Sequence, residues 1–157
     1  SDCLVGSEMC IRDSLSTLTF EGFIKVIFTN IVPRVSETDG VGHINNVFVP
    51  IWFEAGRREI FRIFSPNLDF VNWKLALVKV TVEYVDQLYL AENVEVRTGI
   101  QKIGNSSFTI REEIFQTNRL CAKGEAIYVN YNFQENKSEA ISNEIRDKLQ
   151  SIKFVDK

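Results

Sequence analysis

The residues with the greatest capacity for chemistry lie in one short run, "SETDGVGHINN", from Ser36 to Asn46. It places Asp39, the chain's only histidine (His43), two glycines and two adjacent asparagines between two strongly apolar stretches. Carboxylates and imidazoles are the side chains that serve as bases, acids or nucleophiles near neutral pH. The same composition also suits a turn, because Gly, Asn and Asp tolerate positive φ and hydrogen-bond their own backbone. Which reading holds depends on the elements that carry the run.

Upstream, residues 20–35 ("FEGFIKVIFTNIVPRV") are rich in β-branched and aromatic residues and predict a strand. Pro33 cannot donate to a ladder, so that strand sits at an edge or is bulged there. Downstream, residues 47–64 ("VFVPIWFEAGRREIFRIF") are apolar around most of a helical circumference, with a narrow polar stripe of Glu54, Arg57, Arg58 and Arg62. This predicts a buried helix. Pro50 is tolerated only in a first turn, which puts the start between Asn46 and Val49, and Ser65-Pro66 ends it. The polar run therefore opens a helix, where free N–H groups and partial positive charge collect.

The remainder reads as strands. Residues 77–85 alternate, with Val78, Val80, Val82 and Tyr84 on one face and Lys79, Thr81 and Glu83 on the other. Residues 93–103 repeat the alternation, and "GNSS" turns the chain into a strand from Phe108 to about Phe115, a hairpin. After "TNRL", residues 120–133 carry Ala122, Gly124 and Ala126 on one face, leaving a groove that the buried helix can fill. Ile141, Ile145, Leu149 and Ile152 form one stripe and predict a surface helix over residues 135–157, capped near Asn136 or Ser138. Residues 1–14 ("SDCLVGSEMCIRDS") show neither period and join the rest through a Ser/Thr-rich stretch, so 1–19 reads as a leader outside a domain spanning 20–134.

Composition narrows the function classes. A chain of 157 residues that is 45% hydrophobic forms one domain with a real core. Its 18 basic and 21 acidic residues give a net charge of −3 without a block of like charge, which is no footprint for nucleic acid. No apolar run reaches membrane-spanning length and no secretory signal pattern is present, so the expectation is a cytoplasmic protein with no membrane partner. Three cysteines, at 3, 10 and 121, offer neither a disulfide framework nor zinc-ligand spacing, and no cofactor is expected. The absence of a G-x-S-x-G elbow excludes the α/β serine hydrolases.

One long helix after the first strand, followed by four antiparallel strands, describes an α+β fold in which a curled sheet wraps a central helix. "SETDGVGHINNVFVPIWFEAGR", together with "VEYVDQL" and "GNSSF", resembles the hotdog-fold acyl-CoA thioesterases of the 4-hydroxybenzoyl-CoA thioesterase type, over roughly residues 20–133. The resemblance implies a hotdog fold, an antiparallel sheet of about five strands around a long central helix. It also implies a homodimer or dimer of dimers with sites across the interface, and hydrolysis of an acyl-CoA or acyl carrier protein thioester.

Residue by residue, the resemblance assigns Asp39 as nucleophile or general base and the backbone N–H of Asn46 as the group that polarises the carbonyl. Thioester hydrolysis needs such a pairing of activated nucleophile and oxyanion stabiliser. His43 is expected to fix the loop by hydrogen bonding, with direct catalysis as the lesser alternative. Glu54 is the second candidate carboxylate, since some hotdog thioesterases use one on the helix; its plainer reading is an i, i+4 pair with Arg58. Gly42 would permit close backbone approach by the substrate, although a turn glycine explains it equally. Lys102, Ser106 and Ser107 are the candidates for contact with the CoA phosphates. Two other readings stand beside hydrolysis: a hotdog enoyl-CoA hydratase, in which Asp and His jointly activate water, and a non-catalytic acyl-CoA-binding module. The D-x-N-P-x-H pattern of the hydratases is absent.

Overall fold

The computed structural model of the protein describes residues 25–156, so the leader expected over 1–19 lies outside the described residues. Six strands appear in chain order: β1 (Ile27–Ile31), β2 (Leu75–Tyr84), β3 (Val94–Ile103), β4 (Ser107–Gln116), β5 (Arg119–Asn132) and the short β6 (Lys137–Ser138). They pair in the order β1-β3-β4-β5-β2, with β6 on β5, and every pairing is antiparallel. Three helices accompany them, α1 (Phe48–Gly56), α2 (Arg58–Phe64) and α3 (Asn143–Gln150). None of the helices among the described residues is long and apolar enough to cross a membrane.

Period-two burial builds the sheet. Along β4, Phe108, Ile110, Glu112, Ile114 and Gln116 are all buried while the residues between them are half-exposed. The β4–β5 turn places Thr117 (φ 49°) and Asn118 (φ 60°) in left-handed backbone, the geometry that matches a tight hairpin to sheet twist. The small-residue groove of β5 is filled as expected, because a Cβ on Gly124 would lie 2.8 Å from the Phe53 ring. Val49, Trp52 and Phe53 of α1 share one buried cluster with Val94, Val96, Ile114 and Ala122 of β3, β4 and β5. A helix laid across a curled antiparallel sheet is the hotdog arrangement.

The helix departs from expectation at its midpoint. Residues 47–64 do not form one helix: the chain breaks between α1 and α2, where the Arg57 N–H donates to the Glu54 carbonyl at 3.0 Å in a tighter turn. A Cβ on Gly56 would meet Thr98 Oγ1 at 2.6 Å and Val96 Cγ1 at 2.9 Å, so helix and β3 press together there. The break turns Arg57 inward, to 2% exposure, rather than onto a solvent-facing stripe. It bonds the equally buried Glu112. No Glu54–Arg58 ion pair forms among the described residues, and Arg62 pairs with Glu59 instead at 2.8 Å.

The C-terminal helix is shorter than the expected 135–157, covering only Asn143–Gln150 so that Ile141 and Ile152 flank it, and its cap is displaced from Asn136 or Ser138. Ser142 caps α3, its hydroxyl accepting from the Ile145 N–H at 3.3 Å. Ser138 is drawn into β6 by pairing with Tyr131, and Asn136 occupies the preceding turn at φ 55°. Beyond α3, Ile152 and Phe154 bracket Ile100 in a short parallel bridge along β3, so tightly that a Cβ on Gly99 would lie 2.5 Å from the Phe154 nitrogen.

Candidate active site

The polar run is a built loop. A 3-10 turn over Val35–Glu37 leads into it, Thr38 then bridges Ile44, and His43 bridges Tyr89. The Asp39 N–H donates to the His43 carbonyl at 2.9 Å, and Asp39 Oδ1 accepts from the Val41 N–H at 3.0 Å. Gly40 (φ 89°) and Gly42 (φ 95°) supply the left-handed backbone this tight return requires. Among the described residues, no atom beyond its chain neighbours lies within 4 Å of where a Gly42 Cβ would be. The Asp39 side chain is about one-third exposed, and His43 Nδ1 stands 3.7 Å from Asp39 Oδ2. That separation places imidazole beside carboxylate without a hydrogen bond. The Tyr89 ring meets His43 edge-on at 5.1 Å.

A residue that sequence reasoning does not reach braces this loop. The Glu37 carboxylate is buried and accepts from the Arg34 guanidinium at 2.8 and 3.2 Å, from the Arg34 N–H at 2.8 Å and from Trp52 Nε1 at 3.2 Å. Burial pushes this carboxyl up, but the hydrogen bonds from Arg34 and Trp52 outweigh it and hold the group below its ordinary value. Its carbonyl also accepts from the Asn45 N–H at 2.8 Å. The available signal is Arg34, three residues before Glu37.

The asparagine pair opens α1. Asn45 Oδ1 accepts from the Val47 N–H at 3.2 Å, and the Asn45 carbonyl accepts from Phe48 at 3.0 Å. The Asn46 carbonyl accepts from Val49 at 3.3 Å and from the Tyr84 hydroxyl of β2 at 3.0 Å. Among the described residues, the Asn46 N–H donates to no protein group. Asn46 lines a cleft of 480 Å³ together with Ile44, Val49, Tyr84 and Leu88. Cys121 is also there, but burial pushes its thiol up, which disfavours the reactive thiolate.

Glu54 stands apart, two turns along α1, in a larger cleft of 810 Å³ shared with Ile51, Phe61, Trp73 and Tyr128. Behind that cleft is an ionic cluster. Arg57 donates through Nε and Nη2 to Glu112 at 2.7 and 2.8 Å and through Nη1 to the Tyr128 hydroxyl at 3.1 Å. Burial works against the Arg57 charge, yet the bonds to Glu112 and Tyr128 more than offset it and raise its pKa; burial also raises Glu112.

Lys102, Ser106 and Ser107 sit at the β3–β4 hairpin, at the opposite end of β3 from Val94. At ~3.3 Å per residue, Lys102 is about 26 Å of strand from Val94, which packs in the cluster with Ile44 and Val49. Lys102 faces a cleft of 530 Å³ with Arg111, Arg146 and Lys153. The Ser106 and Ser107 carbonyls accept from the Asn130 and Gly104 N–H groups, each at 2.7 Å. One loop thus carries Asp39, Gly42, His43 and Asn46, of which Asp39 and His43 stand side by side, with Glu54 further along the helix and the hairpin residues elsewhere. Among the described residues, no cluster of three or more His, Cys, Asp or Glu side chains could hold a metal ion.

Residues 33–149 match the family model of the thioesterase-like superfamily. The chain belongs to this superfamily. A predicted thioesterase from Bacillus stearothermophilus is 52% identical, over 82% of this chain and 97% of that one, with a TM-score of 0.80. Two more distant structures share the superfamily fold. A Thermus thermophilus thioesterase complexed with coenzyme A and Zn is 20% identical, over 79% of this chain and 91% of its own, at TM-score 0.71. A 1,4-dihydroxy-2-naphthoyl-CoA thioesterase from Synechocystis is 16% identical, over 80% and 96%, at TM-score 0.69. No curated protein matches the sequence. Membership of the thioesterase-like superfamily agrees with the hotdog resemblance and with the enzyme class it implies, a thioester hydrolase.

Proposed function

We propose that the protein hydrolyses the thioester of an acyl-CoA, with Asp39 as nucleophile or general base and the Asn46 N–H as the carbonyl-polarising donor. The observation that carries this reading is an accessible Asp39 carboxylate and an Asn46 amide without a partner among the described residues, on one braced loop that opens a helix. A thioester oxygen accepting from that amide gains stabilisation as negative charge develops, helped by the partial positive charge of the helix start. Asp39 then either attacks the carbonyl carbon, expelling the CoA thiolate and leaving an acyl-aspartyl anhydride that water cleaves to the free acid, or takes the proton of a water that attacks directly and expels the thiolate. His43 stands beside the carboxylate at 3.7 Å, and Gly42 leaves room for the substrate. Glu54 is the second candidate for the base.

Acyl-CoA as substrate is supported by the superfamily and by the CoA-bound neighbour. Lys102, with Ser106 and Ser107, contacts the phosphate end of this long molecule, a role suited to a basic cleft remote from the chemistry. The assembly is a homodimer or dimer of dimers that completes the site, because β2 is an edge strand exposing Leu77, Val78 and Val80. A second reading, enoyl-CoA hydration, draws on the placement of His43 3.7 Å from Asp39.

The test is a panel of acyl-CoA and enoyl-CoA thioesters assayed for free thiol and for loss of the enoyl chromophore. Thiol release is the expected result. Hydration without thiol release would establish the hydratase, and binding with neither reaction the non-catalytic module.

A further inference from the structure

α1 keeps one face in solvent along its length. Val47, Ile51, Glu54 and Ala55, with Arg58 at the start of α2, recur at three- and four-residue spacing and are all exposed, Val47 and Ile51 by more than half. This stripe leads from the Asn46 amide to the larger cleft. At ~1.5 Å per residue, Glu54 lies about 12 Å along the axis from Asn46. The far wall of the cleft is mostly apolar, formed by Phe61, Trp73, Leu75, Leu77 and Tyr128.

Tyr128 is the exception within that wall. Arg57 donates to its hydroxyl at 3.1 Å. A guanidinium has no acceptor, so the tyrosine oxygen accepts in this bond and its own hydrogen remains to be given. Among the described residues, no group receives it. Glu112 holds Arg57 Nε and Nη2 at 2.7 and 2.8 Å, which fixes the guanidinium and with it the hydroxyl. The ring is stacked on Phe108 and meets Phe61 edge-on, so it has little freedom to turn away. Burial holds the phenol above its ordinary value, so it keeps its proton at neutral pH. A nearly buried donor with no acceptor carries a free-energy cost that an incoming acceptor relieves.

We infer that the larger cleft takes the acyl group of the thioester, and that Tyr128 selects acyl groups bearing a hydroxyl or carbonyl oxygen at their distal end. The inference rests on the thioesterase reading for the identity of the occupant. Tyr128 is the specificity-determining residue, and Arg57, acting through it, is a positioning residue.

The experiment uses non-hydrolysable CoA thioether analogues in a homologous series of chain lengths, each saturated and ω-hydroxylated, titrated calorimetrically into the wild type and Tyr128→Phe. At one length or more, the wild type is expected to bind the hydroxylated analogue about tenfold tighter than its saturated counterpart. Tyr128→Phe should erase that preference while holding saturated analogues within about twofold of wild type. Equal binding of both series by the wild type, or a preference that survives in Tyr128→Phe, would overturn the inference. If that variant does not fold, equal binding of both series by the wild type still overturns the inference, and Tyr128→Leu, which also lacks the hydroxyl, takes its place in the comparison. Failure of the thioesterase reading would appear separately, as no thiol release from true thioesters.

Discussion

The indole N–H of Trp52, on α1, donates to Glu37 Oε1 at 3.2 Å, joining the loop that carries Asp39 to the helix it precedes. Glu37→Gln keeps the shape but removes the charge to which Arg34 donates. The variant is expected to lose about 1–3 kcal/mol of stability in urea denaturation. Loosening the loop should also lower kcat for thioester hydrolysis by roughly tenfold, with acyl-CoA affinity little changed.

The same carboxyl has an acid signature. Its folded pKa lies below the unfolded value, since the bonds from Arg34 and Trp52 outweigh burial. The stabilisation is therefore fully present above the unfolded value of ~4.3 and is lost as pH falls through the lower folded value. Melting curves of wild type and Glu37→Gln should keep a constant gap in Tm from neutrality to about pH 5 and converge below about pH 4. A gap undiminished in strong acid would contradict the assignment.

Arg57 and Glu112 should behave as a unit. Removing one partner leaves a buried charge alone, so Arg57→Met should cost about 3–5 kcal/mol. The double variant Arg57→Met with Glu112→Leu should recover most of that loss, because an apolar pair of similar volume replaces the buried ions. A double-mutant cycle in urea measures the coupling, and additive losses would show that the pair does not act together.

What was legible in the chain follows the reach of local rules. Period-two alternation marks β3, β4 and β5, and Ala122, Gly124 and Ala126 announce the space that Phe53 fills. The same alternation puts Glu112 inward between Ile110 and Ile114, which signals a buried partner, but nothing local points to Arg57, 55 residues away. The helix break escapes because it arises from a tertiary contact, the approach of Val96 and Thr98 to Gly56. Ser138 precedes the apolar stripe of the tail while Ser142 follows its first member, Ile141; the pairing of Ser138 with Tyr131 removes it as a cap and leaves Ser142 to begin the helix. Asp39 and His43 are readable by type; that the Asn46 N–H finds no partner among the described residues depends on where the loop carbonyls fall.

Strand β2 carries the prediction about assembly. Its outer edge is unpaired among the described residues, and Leu77, Val78 and Val80 are exposed on it. Sedimentation at micromolar concentration should give a dimer or larger. Val80→Lys, a charge of the kind that guards natural edges, should shift the protein toward monomer and lower turnover together. A wild-type monomer with full activity would remove the shared site.

The most direct measurement is kcat and acyl-CoA affinity for Asp39→Asn, beside His43→Ala and Glu54→Gln, on one thioester that the wild type hydrolyses. Asn can still accept the Val41 N–H that Asp39 Oδ1 now accepts at 3.0 Å, so the loop should persist. An amide can neither attack a thioester nor take a proton from water, so kcat should fall by ~10² or more while Kd stays near wild type, and the other two variants should lose less. Near-normal turnover in Asp39→Asn would contradict the account, and a larger loss in Glu54→Gln would move the chemistry to the helix carboxylate.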